Sequence, residues 1–137
     1  MSFASVVEAF VSNAWSAGSV LDTKIARSLF IASCLKGELV GIGVGRYVIM
    51  PDHVHLFVRG NLDFSLRQWV RLLKRKLSTE IVAAPPHWQH GFFDHLIRHS
   101  ESYAQKWEYI RQNPVRAGLV SNSDQWPWQG EIVRLEA

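Results

Sequence analysis

The sequence predicts an α+β fold, an antiparallel sheet with helices packed on it. Three observations lead there. Val40–Val58 holds two apolar, β-branched runs on either side of Pro51-Asp52, which makes a probable hairpin. Separate stretches further along carry apolar residues at helical spacing. Strand-like and helix-like segments alternate loosely, as they do when helices cover a sheet.

Taken in order, Ala4–Phe10 fits an edge strand or a helical turn, the strand being preferred, and Met1–Val20 is otherwise hard to assign. Asp22 is a good N-cap, Ile25, Leu29, Ala32 and Leu35 follow at helical spacing, and Gly37 supplies a stop, giving a first helix over 22–36. Val40–Met50 is a strand with a glycine-rich start, and His53–Val58 returns beside it until Gly60-Asn61 ends it. Ser65–Ala84 is a second helix with Leu66, Trp69, Leu73, Leu77 and Ile81 as its apolar stripe, closed by Pro85-Pro86. Phe92–Arg98 is a further strand. Ser100 can cap a third helix that runs to about Gln112, and Pro114 closes it by disfavouring helical geometry at Asn113. Pro127, between Trp126 and Trp128, marks an irregular tail.

The 137 residues fit one domain, 1–137, without repeats or linkers, and 47% hydrophobic content with 20% charge fits a soluble, folded chain. No apolar run is long enough to span a membrane and no secretory signal is read at the start, so the expected location is the cytoplasm. The single Cys34 excludes an internal disulfide framework and reads as a small buried hydrophobe. The formal net charge is +3. Its distribution says more: Arg67, Arg71, Lys74, Arg75 and Lys76 fall on the second helix without an intervening acid. Arg67, Arg71 and Lys74, with Ser78, share one helical face, which can be a solvated face or a contact for nucleic-acid phosphates.

The chemistry concentrates in Met50-Pro51-Asp52-His53-Val54-His55-Leu56. On a strand, residues two apart share a face, so His53 and His55 project together and Val54, Leu56 and Val58 point the other way. Two convergent imidazoles make most of a metal site that needs a third ligand. On the third helix, Tyr103, Trp107 and Ile110 fall within about 60° of one another and form the buried stripe. Tyr109 lies about 120° away, on a polar face with Asn113 one turn on. A phenol, with a pKa of about 10, is a weak nucleophile at neutral pH, and it becomes useful against an electrophile polarised by a metal. His53, His55 and the Asn113 oxygen would leave positions on a divalent ion, Mg²⁺ or Mn²⁺, open to a phosphate. Such a site suits phosphodiester chemistry with Tyr109 as nucleophile and DNA backbone contacts from Arg67, Arg71 and Lys74. Asp52 is a candidate for the shell behind the ligands. His95 is another, unless it is simply exposed.

Tyr47-Val48-Ile49-Met50-Pro51-Asp52-His53-Val54-His55-Leu56, Trp88-Gln89, Phe93-Asp94-His95-Leu96-Ile97-Arg98, Tyr109-Ile110-Arg111-Gln112-Asn113-Pro114-Val115-Arg116-Ala117-Gly118-Leu119-Val120 and Trp126-Pro127-Trp128 together resemble the HUH single-tyrosine transposases, in particular their REP-associated branch, over residues 22–128. The resemblance implies a sheet like that of the RNA-recognition motif, or ferredoxin-like. It implies cleavage and rejoining of single-stranded DNA through a 5′-phosphotyrosine, and recognition of DNA hairpins. It makes Tyr109 the nucleophile and His53, His55 and Asn113 the metal ligands; related transposases carry glutamine at the last position. Met1–Phe10 departs from the family's Tyr-His-Val-Thr-x-Arg opening strand, so 1–21 is atypical. The implied partner is single-stranded, hairpin-forming DNA, with monomer and homodimer both open. Two other classes fit less of the pattern: a DNA-hairpin binder with vestigial chemistry, and a metal-dependent hydrolase that uses water in place of Tyr109.

Overall fold

The computed structural model describes residues 5–12, 21, 23–60, 65–81, 86–98 and 102–135. Five strands, β1 (Ser5–Ser12), β2 (Gly43–Ile49), β3 (His53–Gly60), β4 (Phe93–Leu96) and β5 (Gln129–Glu131), form one sheet in the order β4-β1-β3-β2-β5. Every pairing is antiparallel. Helix α1 (Lys24–Gly37) connects β1 to β2, and α2 (Ser65–Ser78) connects β3 to β4. This is the ferredoxin-like arrangement of the RNA-recognition motif, extended by β5 beside β2. Helices α3 (Tyr103–Ile110) and α4 (Asn113–Arg116) follow β4.

The alternation of the strands sorts the core into two layers. Val7, Ala9 and Val11 of β1 and Val54, Leu56 and Val58 of β3 face α1 and α2, packing with Phe30, Cys34, Trp69 and Leu73. The opposite face carries Val6, Val48 and Phe57, and packs with Ile110, Tyr103 and Trp107 of α3. His53 and His55 share the phase of Phe57, so the strand sends them to the α3 face. Cys34 is fully buried, and desolvation pushes its thiol far up.

Several sequence expectations are corrected. Ala4–Phe10 is not an edge: β1 lies between β3 and β4, with all eight of its residues paired to β3. Thr23 rather than Asp22 caps α1, its hydroxyl accepting the Ala26 N–H at 3.1 Å; Asp22 lies outside the described residues. Of the Ile25–Leu29–Ala32–Leu35 stripe only Leu29 packs against the core. Ile25 and Leu35 are 60% and 59% exposed, while Ala26, Phe30, Cys34 and Gly37 are buried. Both stripes are apolar, and tertiary contact selects the one with the large ring and with the missing Cβ. A Cβ on Gly37 would stand 2.9 Å from the Ile42 carbonyl oxygen. Gly37 therefore does not stop the helix by a positive φ. Gly41 turns the chain, at φ 80°, after a 3₁₀ turn over Glu38–Val40 that shortens the expected strand.

Helix α2 ends at Ser78, earlier than 84, with Thr79 and Glu80 in a turn; Pro85 lies outside the described residues. Ser102 caps α3 through the Gln105 N–H, and Ser100 lies outside the described residues. Pro114 does not close a long third helix. The chain leaves α3 after Ile110, turns at Arg111-Gln112, and restarts as α4 with Pro114 in the first turn, where its missing N–H costs nothing. The tail after Pro127 is not wholly irregular, because Gln129–Glu131 adds β5. Among the described residues no helix is long and apolar enough to cross a membrane.

Candidate functional site

The β2–β3 hairpin positions the histidines. The Met50 N–H donates to the His53 carbonyl at 2.8 Å, closing the Pro51-Asp52 turn. Asp52 then reaches its neighbour: its Oδ1 stands 2.8 Å from His53 Nδ1. A carboxylate can only accept, so Nδ1 carries the proton, and Nε2 is the ring nitrogen left to face a ligand. This is the buttress expected of Asp52 in the sequence. Phe10, the β1 partner of His55, stacks on the His53 ring at 4.8 Å and meets the His55 ring edge-on at 4.7 Å. The two imidazoles stand 5.2 Å apart, at 86°.

His55 is the more perturbed. Burial, the neighbouring His53 and the positive Arg116 lower its pKa from 6.5 to about 4, so it is neutral at physiological pH. Its Nδ1 is buried without a hydrogen-bond partner. A buried, neutral, unpaired imidazole nitrogen is costly unless something else uses its lone pair.

The α3–α4 break supplies the other half. Tyr109 is 69% exposed, whereas Ile110 beside it is buried. Arg116 folds back over it: the guanidinium stands 4.3 Å from the Tyr109 ring centroid and donates to the Tyr109 carbonyl at 2.8 Å. The same Nη2 donates to Asn113 Oδ1. Tyr109, Asn113 and Arg116 are therefore one cluster. The Arg116 charge also helps to lower the His55 pKa, and α3 packs through Ile110 on the sheet face that carries Phe57 and the imidazoles. The sequence reading quoted Arg116 within a motif and gave it no role. The only signal available was its place seven residues after Tyr109, within reach once the helix breaks between them.

Tyr103, the other tyrosine of α3, is a packing residue. Its ring meets Phe57 at 4.6 Å and its hydroxyl accepts the Arg46 N–H at 3.1 Å. Burial raises its pKa, partly offset by that hydrogen bond and the Arg46 charge. A Cβ on Gly45 would lie 2.7 Å from the Tyr103 oxygen, so this seat needs a glycine beneath it.

His95 is not adjacent to the histidine pair. It pairs with Glu8 on β4, and the whole of β1 separates it from β3. Arg67 and Arg71 are exposed on α2, on the far side of the sheet from the imidazoles. Lys74 is half-buried. Its Nζ donates to the Gln89 carbonyl at 3.1 Å and to the Gly91 carbonyl, and burial lowers its pKa. Trp88 and Trp126 are anchored by their indole N–H groups, Trp88 to the Lys74 carbonyl and Ser78 Oγ, Trp126 to the Ile49 carbonyl. Arg27 of α1 lies over the Trp128 ring at 4.6 Å.

Among the described residues no group of three or more His, Cys, Asp or Glu side chains could hold a metal. The candidate donors are two imidazoles and the Asn113 amide oxygen, which also accepts from Arg116. That set fits a divalent ion that accepts mixed nitrogen and oxygen ligands and keeps positions open, Mn²⁺ better than Mg²⁺. The unpartnered His55 nitrogen supports the fit.

Residues 19–113 match the model of the family described as "Transposase IS200 like". The chain belongs to the IS200-like transposase family. Relatives within it point to the REP-associated branch. The "REP-associated tyrosine transposase" of Escherichia coli is 32% identical over 88 residues, covering 62% of this chain and 52% of that one. A Haemophilus influenzae protein provisionally given the same name is 29% identical over 94 residues, covering 58% of this chain and 53% of that one. This IS200-like chain thus spans about half the length of the curated relatives it matches. Among solved structures, that of a REP-associated tyrosine transposase bound to a REP hairpin superposes with a TM-score of 0.76, covering 93% of this chain and 77% of that one at 23% identity; the likeness is one of fold.

Proposed function

We propose that this chain cleaves and rejoins single-stranded DNA next to a hairpin, with Tyr109 as nucleophile and a divalent ion, Mg²⁺ or Mn²⁺, held by His53, His55 and Asn113. The observation that carries the reading is the joining of exposed Tyr109 to Asn113 through Arg116, in a chain of the IS200-like family. Hairpin recognition is carried over from the relative solved with a REP hairpin.

When bound, the ion would supply positive charge to the oxygens of the scissile phosphate. The protein does the rest. Asp52 fixes the His53 tautomer. Phe10 packs against both rings and limits their rotation. Arg116 holds the Tyr109 ring and the α3 end carbonyl in one arrangement, leaving the phenol oxygen exposed. In the reaction the Tyr109 oxygen forms a bond to phosphorus and loses its proton to solvent. The bond from phosphorus to the 3′ oxygen breaks, and that oxygen takes up a proton and leaves as a hydroxyl. The product is a 5′-phosphotyrosine ester. Because one phosphoester replaces another, a 3′-hydroxyl can attack it and restore a phosphodiester without a nucleotide cofactor. Exposed Arg67 and Arg71 contact the DNA backbone as it runs past α2.

The test is a covalent protein–DNA band on a denaturing gel after incubation with a hairpin substrate bearing single-stranded flanks, in Mn²⁺. Tyr109→Phe removes one exposed oxygen and abolishes the band while Mn²⁺ and DNA binding persist. Tyr103→Phe loses the Arg46 hydrogen bond, about 1 kcal/mol of stability, and keeps the band. A band that survives in Tyr109→Phe, or disappears only in Tyr103→Phe, defeats the assignment.

A further inference from the structure

A groove of about 330 Å³ lies between α1 and α2, and its surface, lined by Val40, Trp69, Leu72 and Leu73, is almost wholly apolar. On α2, Trp69, Leu72, Leu73 and Lys76 recur at i, i+3, i+4 and i+7, so they form one stripe. That stripe is on the side of the helix away from Arg67, Arg71 and Lys74. Leu72 and Val40 are 53% and 64% exposed, and Leu35 and Leu39, chain neighbours of Lys36 and Val40, are exposed as well. Large apolar side chains left exposed on two adjacent elements exceed the scattered exposure found on any protein surface.

The rim is positive. Lys36 of α1 and Arg75 and Lys76 of α2 line the groove and are exposed, and no acid lines it. Among the described residues none of these three cations is held in an ion pair. One further polar group belongs to the wall. Ser33 is 7% exposed, and its buried hydroxyl has no hydrogen-bond partner, a cost that a ligand able to bond it would remove.

These features select the occupant. A lipid tail would leave the Ser33 hydroxyl stranded in hydrocarbon. A nucleic acid would gain from the cations, but an apolar floor returns nothing to phosphates. Trp69, 6% exposed, has no free face on which a base could stack. A second copy of this chain offers no fitting segment, since no two of its 12 acids stand within four positions of each other. A peptide with apolar side chains between carboxylates meets every feature: the side chains enter the groove, the carboxylates meet the rim, and a backbone group reaches Ser33.

We propose that the α1–α2 groove docks a short acidic segment of another protein, anchored by its apolar side chains. The groove is on the α1–α2 side of the sheet and the histidine pair is on the α3 side, so a docked partner leaves the imidazoles uncovered. The proposal does not depend on the role of Tyr109.

The test pans a displayed library of random peptides against the whole chain, then labels each enriched peptide and titrates it by fluorescence anisotropy. Enriched peptides should carry net negative charge and at least one large apolar residue. Leu72→Gln should weaken them about tenfold, the cost of one lost apolar anchor. Lys36→Glu combined with Arg75→Glu should weaken them further and flatten the salt dependence. All three side chains are exposed, so these variants fold. Ser33→Ala should weaken the peptides about three- to tenfold while leaving the free protein as stable or more so in urea, because the hydroxyl it removes had no partner. Hairpin DNA binding and the covalent band should be unchanged in Leu72→Gln. A library that yields no binder, or binders that are not acidic, overturns the proposal, as do acidic peptides whose binding survives Leu72→Gln. If Leu72→Gln weakens single-stranded DNA or phosphatidylglycerol vesicles as much as it weakens the peptides, the groove belongs to nucleic acid or to a membrane, and the proposal falls.

Discussion

His55 gives the site a measurable pH signature in the metal-free protein. Its pKa falls from 6.5 to about 4 on folding, chiefly through burial. Between those values the unfolded chain binds a proton that the folded chain refuses. Stability therefore rises with pH across this window, is fully present above about 6.5, and is lost as pH falls towards 4. The gap corresponds to about 3 kcal/mol, a large part of the stability of a small domain. The perturbation is His55→Phe, which cannot titrate and places an apolar ring against Phe10. Urea unfolding of both proteins in EDTA, at several pH values from 7 down to 4, measures the difference. The unaltered protein should lose about 3 kcal/mol relative to the variant over that range, most of it below pH 6.5. Two curves that stay parallel would refute the reasoning, since His55 would then be as free to protonate in the fold as in the unfolded chain. The same neutrality keeps His55 available as a ligand at any pH well above 4. In calorimetric titration at neutral pH the variant should bind Mn²⁺ more weakly.

Replacing Arg67 and Arg71 together should weaken DNA binding across sequences and reduce the salt dependence by about one unit per side chain; an unchanged slope in filter-binding titrations would leave α2 as a solvated face. Arg116→Ala removes the contacts to the Tyr109 ring and carbonyl and to Asn113. It should slow formation of the covalent band by about tenfold or more, the order expected when a nucleophile is misplaced by an ångström. It should also raise the pKa of His55, read from imidazole proton shifts by NMR. An unchanged band rate together with an unchanged His55 titration would remove Arg116 from the site.

How much of this was legible in the sequence depends on what each residue's position encodes. The period of a strand encodes face, so His53 and His55 were placed together from spacing alone, as was the burial of Val54, Leu56 and Val58. Helical angle encodes face equally well, so Tyr103 and Tyr109 were separated correctly into partly buried and exposed. Angle failed on α1, where two apolar stripes compete and the winner is decided by the sheet beneath, through Phe30 and the absent Cβ of Gly37. Strand order is likewise a tertiary property. Ser5–Ser12 has enough apolar, β-branched character to be a strand, and nothing local says that both of its edges are covered. The basic face of α2 was visible, but the diversion of Lys74 into the Gln89 and Gly91 carbonyls required the 88–92 segment to fold against it.

The Asn113-Pro114-Val115-Arg116 run shows how a short motif can be physical throughout. Pro114 is compatible with the first turn of a new helix and with little else, so α3 ends and α4 begins within four residues of Tyr109. That restart brings Arg116 back to the end of α3, where its charge meets the carbonyl of Tyr109 and the negative end of the helix dipole. The same guanidinium covers the Tyr109 ring, binds the Asn113 oxygen and makes it harder to protonate His55. An uninterrupted helix would carry residue 116 almost two turns beyond Tyr109, about 10 Å along the axis. The break is therefore what gathers Tyr109, Asn113 and Arg116. It converts a helix-terminal capping interaction into a link between the exposed phenol ring and the Asn113 oxygen.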